Sequence, residues 1–372
     1  MSTGQCAIWV ASREGLAQAL ALVRNLAASP WEASGVKLAQ CDLYAPERFA
    51  DGDCIPCSSL AESFRARFFA YQAHVLFGAV GIAVRFVAPV LAHKSVDPPV
   101  VVIDNKARFV ISLLAGHWGG GNRLARHLAL LLHATPVITT ASDTCVDSVA
   151  LDLVVQQAGL CLLDWQELPG IQGRLLDGQC LSLYDPFQAL PRIKDLFCPI
   201  AKASLPSQFP QITVHWQDLP AYPQRLRIVI PHLVCGVGFR KSTEPELFAQ
   251  AFTAFSRQYG FSLHAVTALA TIDAKACDAG LCSLARTLQV PLEHFSAEVL
   301  AREPGPHPSE MAGKVFGQPP FSVSEAAALI SAGQRYSKTH LFFPKTCFFG
   351  KITLAAAGSA AFLASEPLFC SF

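Results

Sequence analysis

At 372 residues and 40.0 kDa the chain is long enough for two or three domains, and its net charge of +1 is too small for a protein that binds nucleic acid through a basic surface. Hydrophobic residues make up 52% and charged residues 15% of the sequence, a balance typical of parallel sheets buried on both faces. The longest apolar stretch, His74 to His93, contains Arg85 and is not a membrane span. These features, with no recognisable secretion signal, predict a cytoplasmic protein.

Strand and helix patterns alternate through the first part of the chain. Apolar runs predict strands at 6–11, 36–44, 74–77, 100–104, 108–113 and 136–140. Helical spacing predicts helices at 13–26, 58–70 and 82–91, and from a glycine-rich joint to 133. Such alternation is typical of a mostly parallel sheet covered by helices, so we expect an N-terminal α/β domain at 1–143.

The middle of the chain, residues 144–225, has a different composition. A helix is predicted at 147–157, but prolines crowd residues 186–223. Proline removes backbone donors and interrupts regular elements, so a loop-rich middle segment is expected.

Residues 226–372 return to the α/β pattern, with strands at 226–230 and 233–235 and a helix at 244–259. Thr243 with Glu246, and Ser322 with Glu325, fit capping boxes, and Gly333 fits a C-terminal cap. The predicted fold class is α/β, with two mostly parallel three-layer α/β units joined by the middle segment.

Two glycine-rich joints follow predicted strands. The first contains His117, Gly119 to Gly121 and Asn122; the second contains Gly236, Gly238, Arg240 and Lys241. Backbone N–H groups converge at such joints and bind anions. Neither joint is a P-loop or a complete dinucleotide fingerprint, so a nucleotide-dependent enzyme is the less favoured interpretation.

The first joint supplies the best candidate base. His117 lies among glycines, and imidazole titrates near neutral pH, so it could take a proton from water. The alternative is a histidine that caps the helix or binds a carboxylate. The amides of Gly119, Gly120 and Asn122 could bind a carboxylate or an oxyanion, or the glycines could serve only the shape of a tight turn.

Basic side chains near the joints could bind carboxylates, or they could be solvated charges at helix ends. These side chains are Arg85, Arg123, Arg240 and Lys241. Asp273 and Lys275 follow an apolar run and could orient water or donate to a leaving oxygen; the alternative is an exposed ion pair. Glu298 could be a base or a first-turn helix carboxylate.

The 13 cysteines are scattered, and most are expected to be reduced and buried. Cys54 and Cys57 have the spacing of half a zinc or redox site, but no second pair follows. No cluster has convincing metal-ligand spacing, so the sequence predicts neither a protein-bound metal nor a cofactor.

Ordered blocks of sequence resemble the cobalt-precorrin-5A hydrolase family of the anaerobic cobalamin pathway, over about Gly78–Asp143 and Val234–Lys351. In the first half the blocks are Val80–Arg85, Lys94–Pro98, Val101–Asp104 and Leu113–Ala125. In the second half they are Gly236–Lys241, Leu269–Lys275, Gly280–Leu281, Phe295–Glu298 and His307–Glu310. The chain departs from the family's usual residues at Ala115, Gly121, Asp278 and His307, where the last usually is asparagine.

The resemblance implies hydrolysis of the δ-lactone of cobalt-precorrin-5A with release of acetaldehyde, giving cobalt-precorrin-5B in cobalamin (vitamin B12) biosynthesis. It implies a polycarboxylate cobalt-corrinoid substrate that brings its own cobalt, and no separate cofactor. The expected catalytic residues are His117, Asp273 and Lys275. The expected substrate-binding residues are Arg85, Gly119, Gly120, Asn122, Arg123, Gly236, Gly238, Arg240, Lys241, Glu298 and Ser309. We expect both joints to line one cleft.

The main alternative is a non-catalytic carrier that binds corrinoid intermediates. The sequence leaves open whether the chain forms a homo-oligomer or transiently contacts neighbouring pathway enzymes. It also leaves open the identity of the base and a metal-free form of the substrate.

Overall fold

The computed structural model describes residues 6–33, 36–38, 40–50, 52, 54–140, 150–190, 197–199, 210–241 and 243–363. The chain divides into two compact units, Met1–Leu153 and Val154–Phe372. Both are α/β, which confirms the predicted fold class. In the described part of the chain no helix is long and apolar enough to cross a membrane.

The first unit is built on a seven-stranded sheet in the order β5-β4-β1-β6-β7-β8-β9, with a separate hairpin of β2 and β3. Its strands are β1 (Cys6–Val10), β2 (Trp31–Ala33), β3 (Val36–Leu38), β4 (Cys41–Pro46), β5 (Ile55–Cys57), β6 (Ala73–Phe77), β7 (Val100–Ile103), β8 (Phe109–Leu114) and β9 (Thr135–Val137). Its helices are α1 (Arg13–Ala28), α2 (Leu60–Ala66), α3 (Val80–Val87) and α4 (Gly121–Leu132), and α5 (Leu151–Gln157) crosses the boundary between the units. The single strand predicted at 36–44 is two strands, β3 and β4.

The direction of β8 decides where the first glycine joint lies. All pairings in this sheet are parallel except that of β7 with β8. Leu114, at the end of β8, therefore lies opposite Val100, at the start of β7. The joint that follows Leu114 is consequently at the edge where β6 and β7 begin, whereas the Gly78–Gly81 turn after β6 is at the opposite edge.

Buried aromatic side chains cover one face of this sheet. Trp9 Nε1 donates a hydrogen bond to His74 Nδ1 (3.0 Å), and His74 Nε2 donates to the Phe68 carbonyl (2.8 Å). These two bonds fix a neutral imidazole with its proton on Nε2. Burial lowers the pKa of His74 to about 4, although the bond to the Phe68 carbonyl acts in the other direction. His74 is a core residue.

The second unit contains two five-stranded sheets, in the orders β10-β14-β13-β11-β12 and β17-β16-β15-β19-β18. The strands are β10 (Cys161–Leu162), β11 (Leu181–Tyr184), β12 (Phe197–Pro199), β13 (Ile212–His215), β14 (Leu226–Val229), β15 (Leu233–Phe239), β16 (Val266–Ile272), β17 (Leu292–Phe295), β18 (Thr339–Phe348) and β19 (Ile352–Ser359). The helices are α6 (Leu168–Leu176), α7 (Pro245–Tyr259), α8 (Ala279–Leu288), α9 (Ala297–Arg302), α10 (Glu310–Phe316) and α11 (Val323–Arg335).

The middle of the chain differs from the loop-rich expectation, because its described residues form the first of these two sheets. Pro186, Pro210 and Pro220 lie between strands, and Pro199 is the last residue of the edge strand β12. At these positions proline interrupts no central ladder. Strand β14, which the sequence places in the C-terminal domain, pairs with β10 and β13 of the middle sheet.

A disulfide joins Cys180, just before β11, to Cys198 in the neighbouring strand β12. Nine other cysteines in the described residues are free, including Cys54 and Cys57, which are both buried. The expectation that most cysteines are reduced and buried is met only in part: these nine are free, but only Cys6, Cys54, Cys57 and Cys235 among them are buried. No group of three or more His, Cys, Asp or Glu side chains that could hold a metal ion occurs among the residues that the structure describes.

The helix caps of the C-terminal sheet correct two predictions. Helix α7 has Glu244 at its N-cap and Pro245 at N1, so the predicted capping box of Thr243 is wrong; the Thr243 hydroxyl donates to the Arg240 carbonyl instead (2.7 Å). Helix α11 begins after the predicted cap Ser322, but it runs to Arg335, so Gly333 lies inside the helix.

Candidate functional site

The glycine-rich joint of the first unit is a turn in which three backbone amides donate hydrogen bonds to carbonyls of the turn itself. Gly120 N donates to the His117 carbonyl (2.9 Å), Gly121 N to the Ala115 carbonyl (3.0 Å) and Asn122 N to the Gly116 carbonyl (2.9 Å). These three amides close the turn. The geometry therefore favours the turn-forming alternative over a ligand-binding cradle for Gly120 to Asn122.

Close packing explains the consecutive glycines. A Cβ atom on Gly119 would lie 2.6 Å from Ala115 Cβ, and one on Gly121 would lie 2.8 Å from the Leu114 carbonyl oxygen. Gly120 has a φ of +79°, in the left-handed region that favours glycine. Asn122 is buried, and its Nδ2 atom donates to Thr140 Oγ1 (2.7 Å), so its side chain holds the turn in place.

The turn brings His117 beside a carboxylate. His117 Nδ1 lies 3.5 Å from Asp152 Oδ1, and the two side chains are only 13% and 16% exposed. Asp152 Oδ1 also accepts a hydrogen bond from the amide of Leu153 (3.0 Å), which fixes the carboxylate. At 3.5 Å the negative charge of Asp152 is close enough to stabilise a protonated His117.

One cation lies near this pair, and another lies near the turn. Burial lowers the pKa of Lys94, and the negative charge of Asp152 partly opposes that shift, so the ammonium group is close enough to Asp152 to interact with it. Arg123 is exposed, and its Nη2 atom lies 3.8 Å from the position that a Cβ on Gly120 would take. An imidazole, a carboxylate and an ammonium group thus lie together, and a guanidinium lies beside Gly120; such cations suit a carboxylate substrate.

Arg85 is not part of this group. It is exposed on α3, and its Nη1 atom donates to the Gly81 carbonyl (2.9 Å), which holds the guanidinium beside the first turn of the helix. That turn follows β6, at the sheet edge opposite the one that carries His117. The structure thus separates Arg85 from His117.

In the second unit, charged side chains follow the ends of the parallel strands β15, β16 and β17. Asp273, directly after β16, has its Oδ1 atom 2.6 Å from Nδ1 of His294 on β17, and both side chains are about half exposed. The Lys275 ammonium donates to the Phe239 carbonyl and lies 4.6 Å from the Phe239 ring centroid. Burial lowers the pKa of Lys275, although the charge of Asp278 acts in the other direction.

The second predicted glycine joint is not a joint. Gly236 and Gly238 are inside β15, which continues to Phe239, and α11 packs directly on them. A Cβ atom on Gly236 would lie 1.8 Å from the Ser324 carbonyl oxygen. Gly236 thus allows the helix and the strand to approach, while a Cβ on Gly238 would lie 2.5 Å from Thr353 Oγ1 on β19. Both glycines are buried in this packing. Arg240 and Lys241, which follow the strand, are exposed.

The remaining predicted residues lie at helix starts. Glu298 is exposed in the first turn of α9, as the helix-dipole alternative predicts. The Ser309 hydroxyl is the N-cap of α10 and accepts from the amide of Ala312 (3.4 Å).

Sequence reasoning missed Asp152, Lys94 and His294. Lys94 lies in a block that resembles the family, which could have singled it out. No local pattern marks Asp152 or His294, because each meets its partner only through the fold. Glu325 was predicted only as a capping residue, but its carboxylate is fully buried and bonded to His307 (2.7 Å between Oε1 and Nδ1).

Comparisons with known proteins cover both units. A solved cobalamin biosynthesis protein G homolog from Sulfolobus solfataricus is 18% identical, covers 95% of this chain and 97% of its own, and superposes with a TM-score of only 0.37. Two family models match the sequence: Cobalamin synthesis G N-terminal at residues 62–143 and Cobalamin synthesis G C-terminus at residues 233–357.

Two curated relatives carry one name, cobalt-precorrin-5A hydrolase. The protein from Salmonella typhimurium is 33% identical in an alignment of 320 residues that covers 80% of this chain and 87% of that protein. The protein from Priestia megaterium is 27% identical in an alignment of 314 residues that covers 79% of this chain and 83% of that protein. With both family models in one chain and this coverage, the chain belongs to the cobalt-precorrin-5A hydrolase family.

Proposed function

We propose that this chain hydrolyses the δ-lactone of cobalt-precorrin-5A and releases acetaldehyde, giving cobalt-precorrin-5B in cobalamin biosynthesis. The observation that carries the proposal is the 33% identity to a protein of that name across 87% of its length. The pairing of His117 with Asp152 supports it with a base suited to hydrolysis. We place the reaction in the cytoplasm, with the polycarboxylate corrinoid as the binding partner.

The first step opens the lactone. His117, held through Nδ1 by Asp152, takes a proton from water at Nε2, and the hydroxide adds to the lactone carbonyl carbon. The acyl carbon–oxygen bond then breaks. The proton returns from His117 to the alkoxide oxygen, which leaves an acetate side chain and a free alcohol. Lys94 is the cation that we assign to the oxyanion of the tetrahedral intermediate.

The second step releases acetaldehyde. A base removes the alcohol proton, the bond between the alcohol carbon and the macrocycle breaks, and its electron pair passes into the conjugated ring. Asp273 and Lys275 are the residues that we assign to this proton movement, with His294 as the imidazole that Asp273 orients. Asp273 accepts the alcohol proton, and Lys275 donates a proton to the macrocycle, which has gained the electron pair; burial, which lowers the pKa of Lys275, suits that donation.

Carboxylate binding is assigned to the exposed cations. Arg123 next to the first turn, and Arg240 and Lys241 after β15, can form charge-assisted hydrogen bonds to the acetate and propionate groups of a corrinoid. We assign Arg85 no contact with the reacting lactone, because it lies at the sheet edge opposite the one that carries His117. Among the glycines, we assign only Gly119 as an amide donor to the substrate.

The test is anaerobic incubation of the purified chain with cobalt-precorrin-5A, with acetaldehyde measured by its reduction in a coupled alcohol dehydrogenase assay. Acetaldehyde from the wild type, and strongly reduced release from His117→Ala at unchanged corrinoid binding, would support both the function and the base. Binding of the substrate without acetaldehyde would support the carrier instead. Unchanged turnover in His117→Ala would reject His117 as the base.

A further inference from the structure

His307 is an exposed histidine whose backbone and ring are both held by hydrogen bonds. Its backbone N–H donates to Glu325 Oε2 (2.9 Å), its Nδ1 donates to Glu325 Oε1 (2.7 Å), and its carbonyl accepts from Lys345 Nζ (2.6 Å). The imidazole is nevertheless 58% exposed. Backbone and ring are therefore fixed on one side while the other side of the ring meets solvent.

Glu325 is the anchor of this arrangement. Its side chain is fully buried in the first turn of α11, and Oε1 also accepts from the Lys345 amide (2.9 Å). Its two oxygens accept hydrogen bonds from the His307 amide, the His307 imidazole and the Lys345 amide, so each oxygen has at least one donor. With Oε1 as its acceptor, Nδ1 is the nitrogen of His307 that carries the proton in the neutral ring.

This geometry leaves a lone pair on the exposed nitrogen. In the neutral ring Nε2 carries no proton, and Nε2 makes no hydrogen bond to any residue that the structure describes. A histidine whose Nδ1–H is bonded to a carboxylate is the usual form of a metal ligand, because the carboxylate fixes the ring and raises the basicity of the other nitrogen. The described residues offer no group of three ligands for an ion of the protein's own.

A cobalt corrinoid needs only one ligand from the protein. The ring nitrogens of the macrocycle hold the cobalt in the equatorial plane, and the axial positions above and below the plane can accept a single imidazole. A flat macrocycle can approach only a nitrogen that stands clear of the surface, as the 58% exposure of His307 allows. A general base would gain from a more enclosed site.

We propose that His307 Nε2 is an axial ligand to the cobalt of the corrinoid substrate and that Glu325 is the positioning residue for this imidazole. The inference rests on the proposed function for the identity of the substrate. It adds a contact by which the chain distinguishes a cobalt corrinoid from the metal-free ring.

The experiment uses electron paramagnetic resonance of the full chain mixed anaerobically with cobalt(II) cobyrinic acid, a stable polycarboxylate corrinoid. An axial nitrogen splits the cobalt signal. The wild type is expected to show this splitting, and growth with ¹⁵N-labelled histidine is expected to change its pattern. His307→Asn keeps a side-chain donor for Glu325 but offers cobalt no imidazole, so the splitting should vanish.

Two further variants sharpen the result. Glu325→Gln keeps the buried side-chain volume but removes the charge, so it should weaken corrinoid binding with a matching loss of the split signal. His340→Asn removes another exposed histidine, on β18, and should retain the split signal. Circular dichroism of each variant separates loss of a ligand from loss of the fold.

Absence of nitrogen splitting in wild type that has bound the corrinoid would overturn the inference, as would splitting that persists in His307→Asn. Acetaldehyde release from cobalt-precorrin-5A is measured on the same preparations. Turnover without splitting rejects the axial ligand and leaves the proposed function standing. Splitting without turnover supports the ligand and rejects the enzyme.

Discussion

In the proposed reaction the carboxylate of Asp152 matters because an imidazole has two nitrogens and only one can act as the base. Asp152 lies 3.5 Å from Nδ1 of His117 and is itself held by the Leu153 amide. When His117 accepts a proton at Nε2, the nearby negative charge stabilises the imidazolium that forms.

Asp152→Asn is therefore expected to lower kcat for acetaldehyde release on the order of 100- to 10,000-fold, with little effect on corrinoid binding. The amide keeps the size of the side chain but not its charge. A double variant with His117→Ala should be no slower than His117→Ala alone, because the two residues act as a unit. Asp177→Asn, at an exposed position after α6, is the matched control. Additive losses in the double variant would contradict the pairing.

His74 makes stability depend on pH. Its pKa is about 4 in the folded protein, against 6.5 for an unperturbed imidazole. Below pH 6.5 the imidazole is protonated in the unfolded chain but stays neutral in the folded chain. The contribution of neutral His74 to the free energy of unfolding is therefore fully present above pH 6.5 and is lost as the pH falls towards 4. The loss amounts to about 3 kcal/mol for a shift of this size.

The measurement is the urea concentration at the midpoint of unfolding, taken at several pH values in this range. His74→Gln can still accept from Trp9 and donate to the Phe68 carbonyl, but it does not titrate. Its unfolding midpoint should fall less with acidification than that of the wild type. Equal slopes for the two proteins would show that His74 is not the group responsible.

At the scale of elements, glycine positions on β15 determine how closely α11 can pack. Gly236→Ala would place a methyl group 1.8 Å from the Ser324 carbonyl, where backbone must move. We expect a loss of about 3 kcal/mol in the free energy of unfolding. Gly333 lies on α11 itself, and a Cβ added there would meet no other atom. Gly333→Ala should therefore stabilise the protein by about 0.5–1 kcal/mol. Thermal unfolding of the two variants checks the expected loss and the expected gain in stability. An unchanged stability of Gly236→Ala would contradict the close packing of α11 on β15.

The middle sheet depends on an ion pair next to β14. Arg227 Nε and Nη2 donate to the two oxygens of Asp164 (2.9 and 2.7 Å), and Asp164 is buried. Asp164→Ala leaves the guanidinium without its acceptor, so we expect a loss of about 3–5 kcal/mol in unfolding free energy. Arg174→Ala, which removes an exposed bond to Gln224, is the control and should change stability little. Similar midpoints for the two variants in urea would reject this role for the pair.

For the whole molecule, periodicity predicted most elements because helices such as α1 and α7 carry apolar residues on one face and central strands such as β1 are apolar throughout. The relative direction of neighbouring strands could not be predicted from the sequence. Nothing local shows that β8 runs against β7, yet that reversal places His117 and Arg85 at opposite sheet edges. The short strands of the middle sheet were hidden by prolines that lie between them.

The candidate site was predictable only in part, for the same reason. Glycine next to histidine marked the turn at His117, and charged residues after an apolar run marked Asp273 and Lys275. Glycine alone, however, does not distinguish a ligand loop from a strand packed under a helix, which is what Gly236 and Gly238 proved to be. Asp152 joins His117 only in three dimensions. The expectation that both predicted joints line one cleft stays a prediction.

The central claim is that this chain is an enzyme and does not merely carry a corrinoid. The most direct measurement is the ratio of acetaldehyde released to protein chains present, with cobalt-precorrin-5A in large excess and oxygen excluded. We predict a ratio that rises steadily far above one acetaldehyde per chain, in step with the appearance of cobalt-precorrin-5B. Stoichiometric binding of the corrinoid with no acetaldehyde above the level without protein would contradict it.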